Sequence, residues 1–468
     1  MNFGLLDALE CSCGRSQFVL ANAITKKLPL SEPLNEVPCK KFCGYKGCPI
    51  NRSNVALADC MECRALSVVG GLLRCDCGRT WPITDGLPKF SVRRLGQTLT
   101  DDLRVVELDF HSDPRWLSFI ATHPDGSIYH HPGWLQALAA ENGAKCVTLA
   151  CENAQGELLA LLPLIRTRGA PFRIGGLLTD PRLSSLPRTP LAGPLSVNRA
   201  ATTAVLQSAV HQTRNEPGAH LQLKTQNPGF GSIVDGLVRR PWRLSYVLRL
   251  PEPNEPLHVG NSRTRRHHVK WAVKKATELG VQVRPAEKEE ELRSWYELYL
   301  HTMRRNGFPP RPYRLFATMW SHLRPRGMMQ LLLAEQHQMG RKRLLAGSVF
   351  LMFGQTVSYA FTGCRQKDFS LHPQDLIQWT SLNDASKAGF RWYDFGEVPE
   401  DHPGLTNYKS KWGAEPRPLY HYYYPAPPEE NVVPSSMWVY AKGVESAIWR
   451  RLPLALTAWL GDKLYGYL

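Results

Sequence analysis

Nine of the twelve cysteines fall before residue 78: Cys11, Cys13, Cys39, Cys43, Cys48, Cys60, Cys63, Cys75 and Cys77. Nothing else limits the fold as much, because thiols this dense need a partner. The first ten residues lack a basic start followed by an apolar stretch, so no secretory leader is expected and the cytoplasm is the expected compartment. In that reducing setting a cysteine cluster reads as metal before disulfide. The clearest set is Cys60-Met-Glu-Cys63 followed by Cys75-Asp-Cys77-Gly78. Each pair suits a tight turn, with its thiolates facing the other pair across a short hairpin. Four thiolates at tetrahedral corners suit zinc and leave no open position for substrate, so the metal would be structural. In a region with little core area it would supply folding free energy directly. Cys11-x-Cys13 echoes the half-motif, and with Cys39, Cys43 and Cys48 it offers five thiols for a second site. Unliganded cysteines and an iron–sulfur cluster are the competing readings. Cys146, Cys151 and Cys364 are scattered and read as inert core residues.

The stretch "CMECRALSVVGGLLRCDCGRTWPITDGLPKF", residues 60–90, resembles a small zinc ribbon. It is similar to the partner subunits of tRNA and translation-factor methyltransferases, in which a cysteine pair follows a hairpin and runs into a Tyr-Pro-Ile-x-Asp-Gly-Ile-Pro-like tail. That tail here is Trp81-Pro82-Ile83-Thr84-Asp85-Gly86-Leu87-Pro88. Cys75-x-Cys77 is one residue shorter than the usual knuckle.

The remaining chain is long enough for more than one core: 468 residues in all, 43% hydrophobic and 21% charged. The net charge of +16 calls for an anionic partner: a phosphate-rich donor, nucleic acid or an acidic membrane surface. No uninterrupted apolar run reaches the roughly 18 residues of a membrane span. After residue 90 the pattern is mixed helix and strand. Short apolar stretches at 145–151 and 157–165 read as strands after a helix at "GWLQALAAENG". Three prolines in 251–256 mark a linker. Beyond it come a basic segment, "NSRTRRHHVKWAVKK", and a helix over 287–306. Strands follow at 331–335, 346–353 and 356–362, the last two joined by a turn at Gly354-Gln355. A helix at 375–388 leads to a short strand at 393–396. The resulting divisions are 1–92, 103–250, 257–427 and a tail, 435–468.

Several segments together carry a second resemblance. "HHPGWLQAL", "LLALLPLIRTR" and "LAGPLS" resemble the first half of the FemAB-like and BioF-type acyltransferases. "TRRHHVKWAVKKATELGVQV" and "LLAGSVFLMFGQTVSYAFTGC" resemble the second half. Tyr393-Asp394-Phe395-Gly396, Gly404-Leu405, Tyr408-Lys409 and Trp412-Gly413 match that family's strand end, Gly-Leu, aromatic-Lys and aromatic-Gly pairs. The resemblance spans about 103–425. It implies an α/β (α+β, mixed-sheet) fold with tandem GNAT-like domains. The implied activity is transfer of an acyl or aminoacyl group to an amine, from acyl-CoA, a carrier-bound acyl group or aminoacyl-tRNA. The implied acceptor is a cell-envelope or exopolysaccharide precursor.

Acyl transfer to an amine needs a cation or donor at the developing oxyanion and a base for the amine proton. No G-x-S-x-G elbow is present, so direct transfer fits better than an acyl-enzyme. The aromatic-Lys match makes Lys409 the oxyanion candidate. Asp394, at a strand end, is the candidate base or orienter of the amine, with Glu397 second as base; Tyr359 and Tyr408 are candidates to orient substrate or donate a proton. Arg265, Arg266, Lys270 and Lys274 are candidates for donor phosphates, the last three on one helical face. The acetyl-CoA pyrophosphate loop, Arg/Gln-x-x-Gly-x-Gly/Ala, is missing from "GCRQKDFSLHPQD", which favours the FemAB-like branch. A surface lysine at 409, a loop-capping aspartate at 394 and a solvated basic helix face are the structural alternatives. The competing function is a non-catalytic adaptor using the zinc ribbon and basic surface to bind a partner enzyme or RNA. The tail, "SAIWRRLPLALTAWLGDKLYGYL", is too interrupted to span a bilayer. Trp449, Trp459, Tyr465 and Tyr467 suit a headgroup region, and Arg450, Arg451 and Lys463 suit anionic lipid. It is expected to lie on the inner membrane face, or else to pack on the body.

The cysteine cluster generates the first prediction. Elemental analysis of freshly purified, reduced protein should find one or two tightly bound zinc ions; metal-free protein would refute the zinc reading.

Overall fold

In the computed structural model the chain divides into two units, residues 1–101 and 102–468. The first is described over its strands, 18–27, 66–75, 80–84 and 87–88; the second over 103–143, 146–167, 182–216, 218–338, 341–399, 402–426 and 446–464.

The first unit holds β1 (Phe18–Lys27), β2 (Leu66–Cys75), β3 (Thr80–Thr84) and β4 (Leu87–Pro88) in one antiparallel sheet of that order. Cys75 ends β2. The other expected ligands, Cys11, Cys13, Cys39, Cys43, Cys60, Cys63 and Cys77, lie outside the described residues. Among the described residues no group of three or more His, Cys, Asp or Glu is placed to hold a metal.

The second unit begins with β5 (Arg104–Glu107), α1 (Pro114–Thr122), α2 (Pro132–Asn142), β6 (Cys146–Glu152), β7 (Leu158–Thr167), β8 (Arg182–Ser184) and β9 (Leu195–Ser196). Then come α3 (Arg199–Arg214), β10 (His220–Thr225), β11 (Val238–Arg249), α4 (Arg263–Glu278), β12 (Val281–Pro285), α5 (Glu289–Asn306) and α6 (Tyr313–His322). It continues with β13 (Met329–Gln338), β14 (Arg341–Phe353), β15 (Thr356–Cys364), α7 (Pro373–Lys387), β16 (Trp392–Val398), α8 (Pro403–Ser410), β17 (Glu415–Tyr424) and α9 (Leu454–Leu464). The local signals are plain. Helix α5 opens on Glu289-Glu290-Glu291, closes on Arg304-Arg305 and stops at Gly307, a left-handed residue at φ 76. Pro373 starts α7 at a position where its missing N–H costs no helical bond.

The strands form one 13-stranded mixed sheet, ordered β12-β13-β14-β15-β16-β11-β17-β10-β8-β7-β6-β5, with β9 on β7. The two halves of the chain interlock at its centre. Strand β11, from before the Pro251–Pro256 linker, pairs with β16 and β17 from after it, and β17 pairs onward with β10. The linker is therefore a break in sequence and not in the sheet.

Helix α3 covers β6, β7 and β10 through Val205, Leu206, Ala209, Leu221, Leu223 and Tyr422. Helices α4 and α7 cover β12–β16 around Val269, Ile377, Phe350, Tyr393, Phe395 and Trp412. A third core joins the halves, with Trp116 and Trp134 of α1 and α2 packed among Trp295, Tyr299 and Phe316 of α5 and α6. Within it Arg311, between α5 and α6, makes a bidentate pair with Glu141 of α2 at 2.6 and 2.5 Å. Both side chains are almost fully buried. The Arg311 guanidinium also lies over the rings of Trp134 and Phe361, at 5.7 and 5.6 Å.

The tail packs on the body. Helix α9 contacts α5, Thr457 is fully buried, and Arg314 pairs with Asp462. Trp449, expected at a headgroup region, is instead buried, because its indole offers more apolar area to the core than any neighbour in 446–451. Among the described residues no helix is long and apolar enough to cross a membrane.

Removing one partner of a buried ion pair leaves the other charge uncompensated. Glu141→Ala should therefore destabilise the protein by about 3–5 kcal/mol in urea unfolding, and adding Arg311→Met should recover most of that loss. Equal stability of E141A and wild type would show that the pair does not hold the two halves.

Candidate active site

Strands β15 and β16 pair in parallel over three residues only: Thr356↔Trp392, Val357↔Tyr393 and Ser358↔Asp394. They then part. Strand β15 continues along β14 as far as Cys364, and β16, already paired with β11 along its other edge from Trp392 to Asp394, stays with it through Ser245↔Glu397 and Leu244↔Val398. Gly396 permits that departure with a φ of 77°. A Cβ built on it would lie 3.7 Å from Lys409 Nζ and 3.9 Å from the Tyr359 carbonyl, so Lys409 reaches from α8 to the point where the strands fork.

Asp394 is the last paired residue before the fork. Its Oδ1 accepts from Ser245 Oγ at 2.9 Å and from the Gly396 N–H at 2.7 Å. Burial raises its pKa above the usual carboxylate range; the Gly396 and Ser245 hydrogen bonds and the Lys409 and Arg417 charges oppose that rise. The carboxyl lines a cleft of about 180 Å³ with Tyr129, Gln226, Ser358, Trp392 and Arg417. Tyr129 comes from the 3-10 turn Ile128–His130 ahead of α2. Burial, with the Asp394 charge next, pushes its hydroxyl well above the ordinary tyrosine value. Arg417 stacks on Trp392 at 4.6 Å.

Lys409 is 4% exposed and does not line the cleft. Its ammonium donates to the carbonyls of Gly396 and Glu397 at 2.9 and 3.0 Å. Burial pushes its pKa down to about 8, against the pull of Asp394 and Glu397. Two carbonyls use two of the three N–H donors of an ammonium, which leaves one.

The side chains of the other sequence candidates are engaged as follows. Glu397 is held by Arg243 at 2.6 Å and Trp242 Nε1 at 3.2 Å. Tyr359 packs on Phe350 at 5.7 Å, and burial raises its hydroxyl. Among the described residues the buried Tyr408 hydroxyl has no hydrogen-bond partner, and Lys411 lies 4.5 Å over its ring. Arg265 donates to Asn261 at 3.0 Å and to the Ser410 carbonyl at 3.3 Å, tying α4 to α8. Arg266, Lys270 and Lys274 are exposed along α4, and Lys274 meets Glu278 at 3.7 Å. The structure thus gathers Asp394 and Lys409 at one fork and ties Arg265, at the start of the basic helix, to the residue after Lys409.

Sequence reasoning missed Tyr129, Ser245, Ser358 and Arg417, which carry no motif. It also missed Lys224, buried on β10 opposite His421 of β17. Burial pushes Lys224 down to about 7 and His421 to about 3. A lysine alternating with leucines in "HLQLKT" is the one local hint, since period 2 puts it on the face opposite the α3 core.

Residues 263–410 match the family described as an acetyltransferase (GNAT) domain. The crystal structure of FemX aligns over 72% of this chain and 100% of its own, at 15% identity and a TM-score of 0.53, which shows a shared fold. A tandem GNAT protein from the clavulanic acid biosynthesis pathway aligns over 70% of this chain and 100% of its own, at 13% identity and a TM-score of 0.42. L-PGS from Bacillus licheniformis aligns over 68% and 97%, at 12% identity and 0.42. No curated protein matches the chain in sequence. The matched domain contains Asp394 and Lys409 and makes the chain an N-acyltransferase.

The depressed Lys409 pKa carries a sign. Between about 8 and the ordinary lysine value of about 10.5 the unfolded chain holds more protons on this group than the folded one, so its contribution to stability grows as pH rises through that window and is lost as pH falls to 8. Urea unfolding of wild type against Lys409→Met should show wild type gaining on the variant from pH 8 to 10.5. A pH-independent difference would mean that Lys409 titrates normally.

Proposed function

We propose that the chain transfers an acyl or aminoacyl group from an activated donor to an amine, with the donor carbonyl lodged where β15 and β16 part. The observation that carries this reading is the part-buried Asp394 carboxyl, raised in pKa and open to the cleft beside the fork. Ser245 and Gly396 hold Oδ1, and among the described residues Oδ2 takes no hydrogen bond. Asp394 accepts the proton of the attacking amine at Oδ2. The amine adds to the donor carbonyl, and the positive charge of Lys409, buried behind the fork, stabilises the oxygen as it becomes negative. Collapse then expels the donor's leaving group, and no acyl-enzyme forms.

The donor's phosphates belong to Arg265, Arg266, Lys270 and Lys274, with Tyr408 at the junction of α4 and α8. The segment after β15 is poorly suited to cradle a pyrophosphate with backbone N–H groups. It winds into a 3-10 turn, Gln366–Leu371, in which the N–H groups of Asp368 and His372 bond the carbonyls of Arg365 and Phe369. This favours a carrier-bound or aminoacyl-tRNA donor over acetyl-CoA. The FemAB-like resemblance supports an envelope or glycan precursor as acceptor. Zinc in the cysteine-rich unit would stabilise that unit and take no part in the transfer.

The test is turnover with acyl-CoA and aminoacyl-tRNA donors on amine acceptors. Asp394→Asn should lower kcat by about 10²–10⁴ and abolish the rise of rate with pH through the raised carboxyl pKa, because the base works only when deprotonated. Lys409→Met should cost about 10²–10³ in kcat with little change in acceptor KM. Normal turnover of Asp394→Asn with the true substrates would overturn the mechanism.

A further inference from the structure

Away from the fork, a cavity of about 570 Å³ opens between the end of α5, the turn after β15 and the C-terminal segment. Its walls are His301, Arg304, Arg305, Arg365, Lys367 and Arg450; Gln366 completes the lining, which among the described residues holds no carboxylate. The arginines bond backbone carbonyls: Arg304 to Leu452 at 3.4 Å, Arg305 to Cys364 at 2.9 Å, Arg365 to Leu344 at 3.4 Å. These bonds aim the guanidinium groups without neutralising them. The acid in the same turn, Asp368, is buried and committed to Arg343. Like charges gathered this way concentrate a positive potential that a phosphate would relieve.

The same three elements carry five of the large apolar side chains left exposed: Phe308, Phe369, Ile448, Leu456 and Trp459. Arg305 stacks on Phe369 at 4.7 Å, and Ile448 and Trp459 are 55% and 57% exposed. In α9, Thr457 and Gly461 form the inward face, the latter against Pro310. Leu456, Trp459 and Lys463 follow at helical spacing on the opposite, exposed side.

We propose that this face docks on an anionic lipid bilayer, with headgroup phosphates entering the basic cavity and the apolar side chains entering the interface. A nucleic acid would reward the charges but not exposed Ile448 and Leu456, whereas a bilayer rewards both. The docked helix stays folded on the body, since Trp449 and Thr457 remain buried.

The test is co-sedimentation of the full chain with phosphatidylcholine vesicles, with and without phosphatidylglycerol, alongside retention of tRNA in the same buffer. Wild type should bind the anionic vesicles only, and less as salt screens the charges. Lys367→Glu with Arg450→Glu should weaken vesicle binding about tenfold or more, and Trp459→Ser several-fold, with unchanged thermal unfolding. Turnover on a soluble acceptor should stay at the wild-type level in both variants, and Asp394→Asn should still bind vesicles, so this surface and the catalytic reading fail independently. Absence of binding by wild type at low salt, wild-type binding by the charge-reversed variant, or loss of tRNA retention alone would overturn the proposal.

Discussion

The three-residue pairing of β15 with β16 is the constraint on which the candidate site depends. Had the two strands stayed parallel to their ends, the carbonyls of Gly396 and Glu397 would have faced a neighbouring strand. Their separation leaves those carbonyls to Lys409 and leaves Asp394 at the mouth of a cleft. A buried ammonium is costly, and the two carbonyls together with the nearby Asp394 and Glu397 charges offset that cost. The fork, the lysine and the aspartate thus form one electrostatic unit: the lysine opposes the rise in the aspartate's pKa, and the aspartate opposes the fall in the lysine's.

The fork can be held open because the sheet around it is interlocked. Strand β11 supplies Ser245 and Val247 beside β16, and β17 supplies Arg417 beside β11. The Arg311–Glu141 pair and the tryptophans around it fix α2, and so the turn bearing Tyr129, against α5 and α6. The cleft therefore draws on both halves of the chain, and neither half contains it alone.

Much of the local structure was legible beforehand. The expected helix at 375–388 is α7, displaced by two residues because Pro373 is a good first helical residue; the strand expected at 393–396 is the centre of β16. The resemblance singled out Asp394 and Lys409, and the structure brings both to the fork. It ranked Asp394 ahead of Glu397 as the base, and the structure adds that Arg243 and Trp242 hold Glu397. The tail had two readings, and its packing on α5 is decided by the burial of Trp449 and Thr457.

The sequence by itself determined the periodicities, the caps, the cysteine-dense first unit and the motif around Asp394 and Lys409. All of these depend on residues within a few turns of each other. Tertiary structure alone decided which groups surround that motif. Ser245 meets Asp394 across 149 residues, and Tyr129 enters the same cleft from a turn in the other half of the chain. Serine and tyrosine carry no local signal of such a role, because their hydrogen-bonding partners and their loss of solvent are set by the pairing of β11 with β16 and by the core shared between the halves.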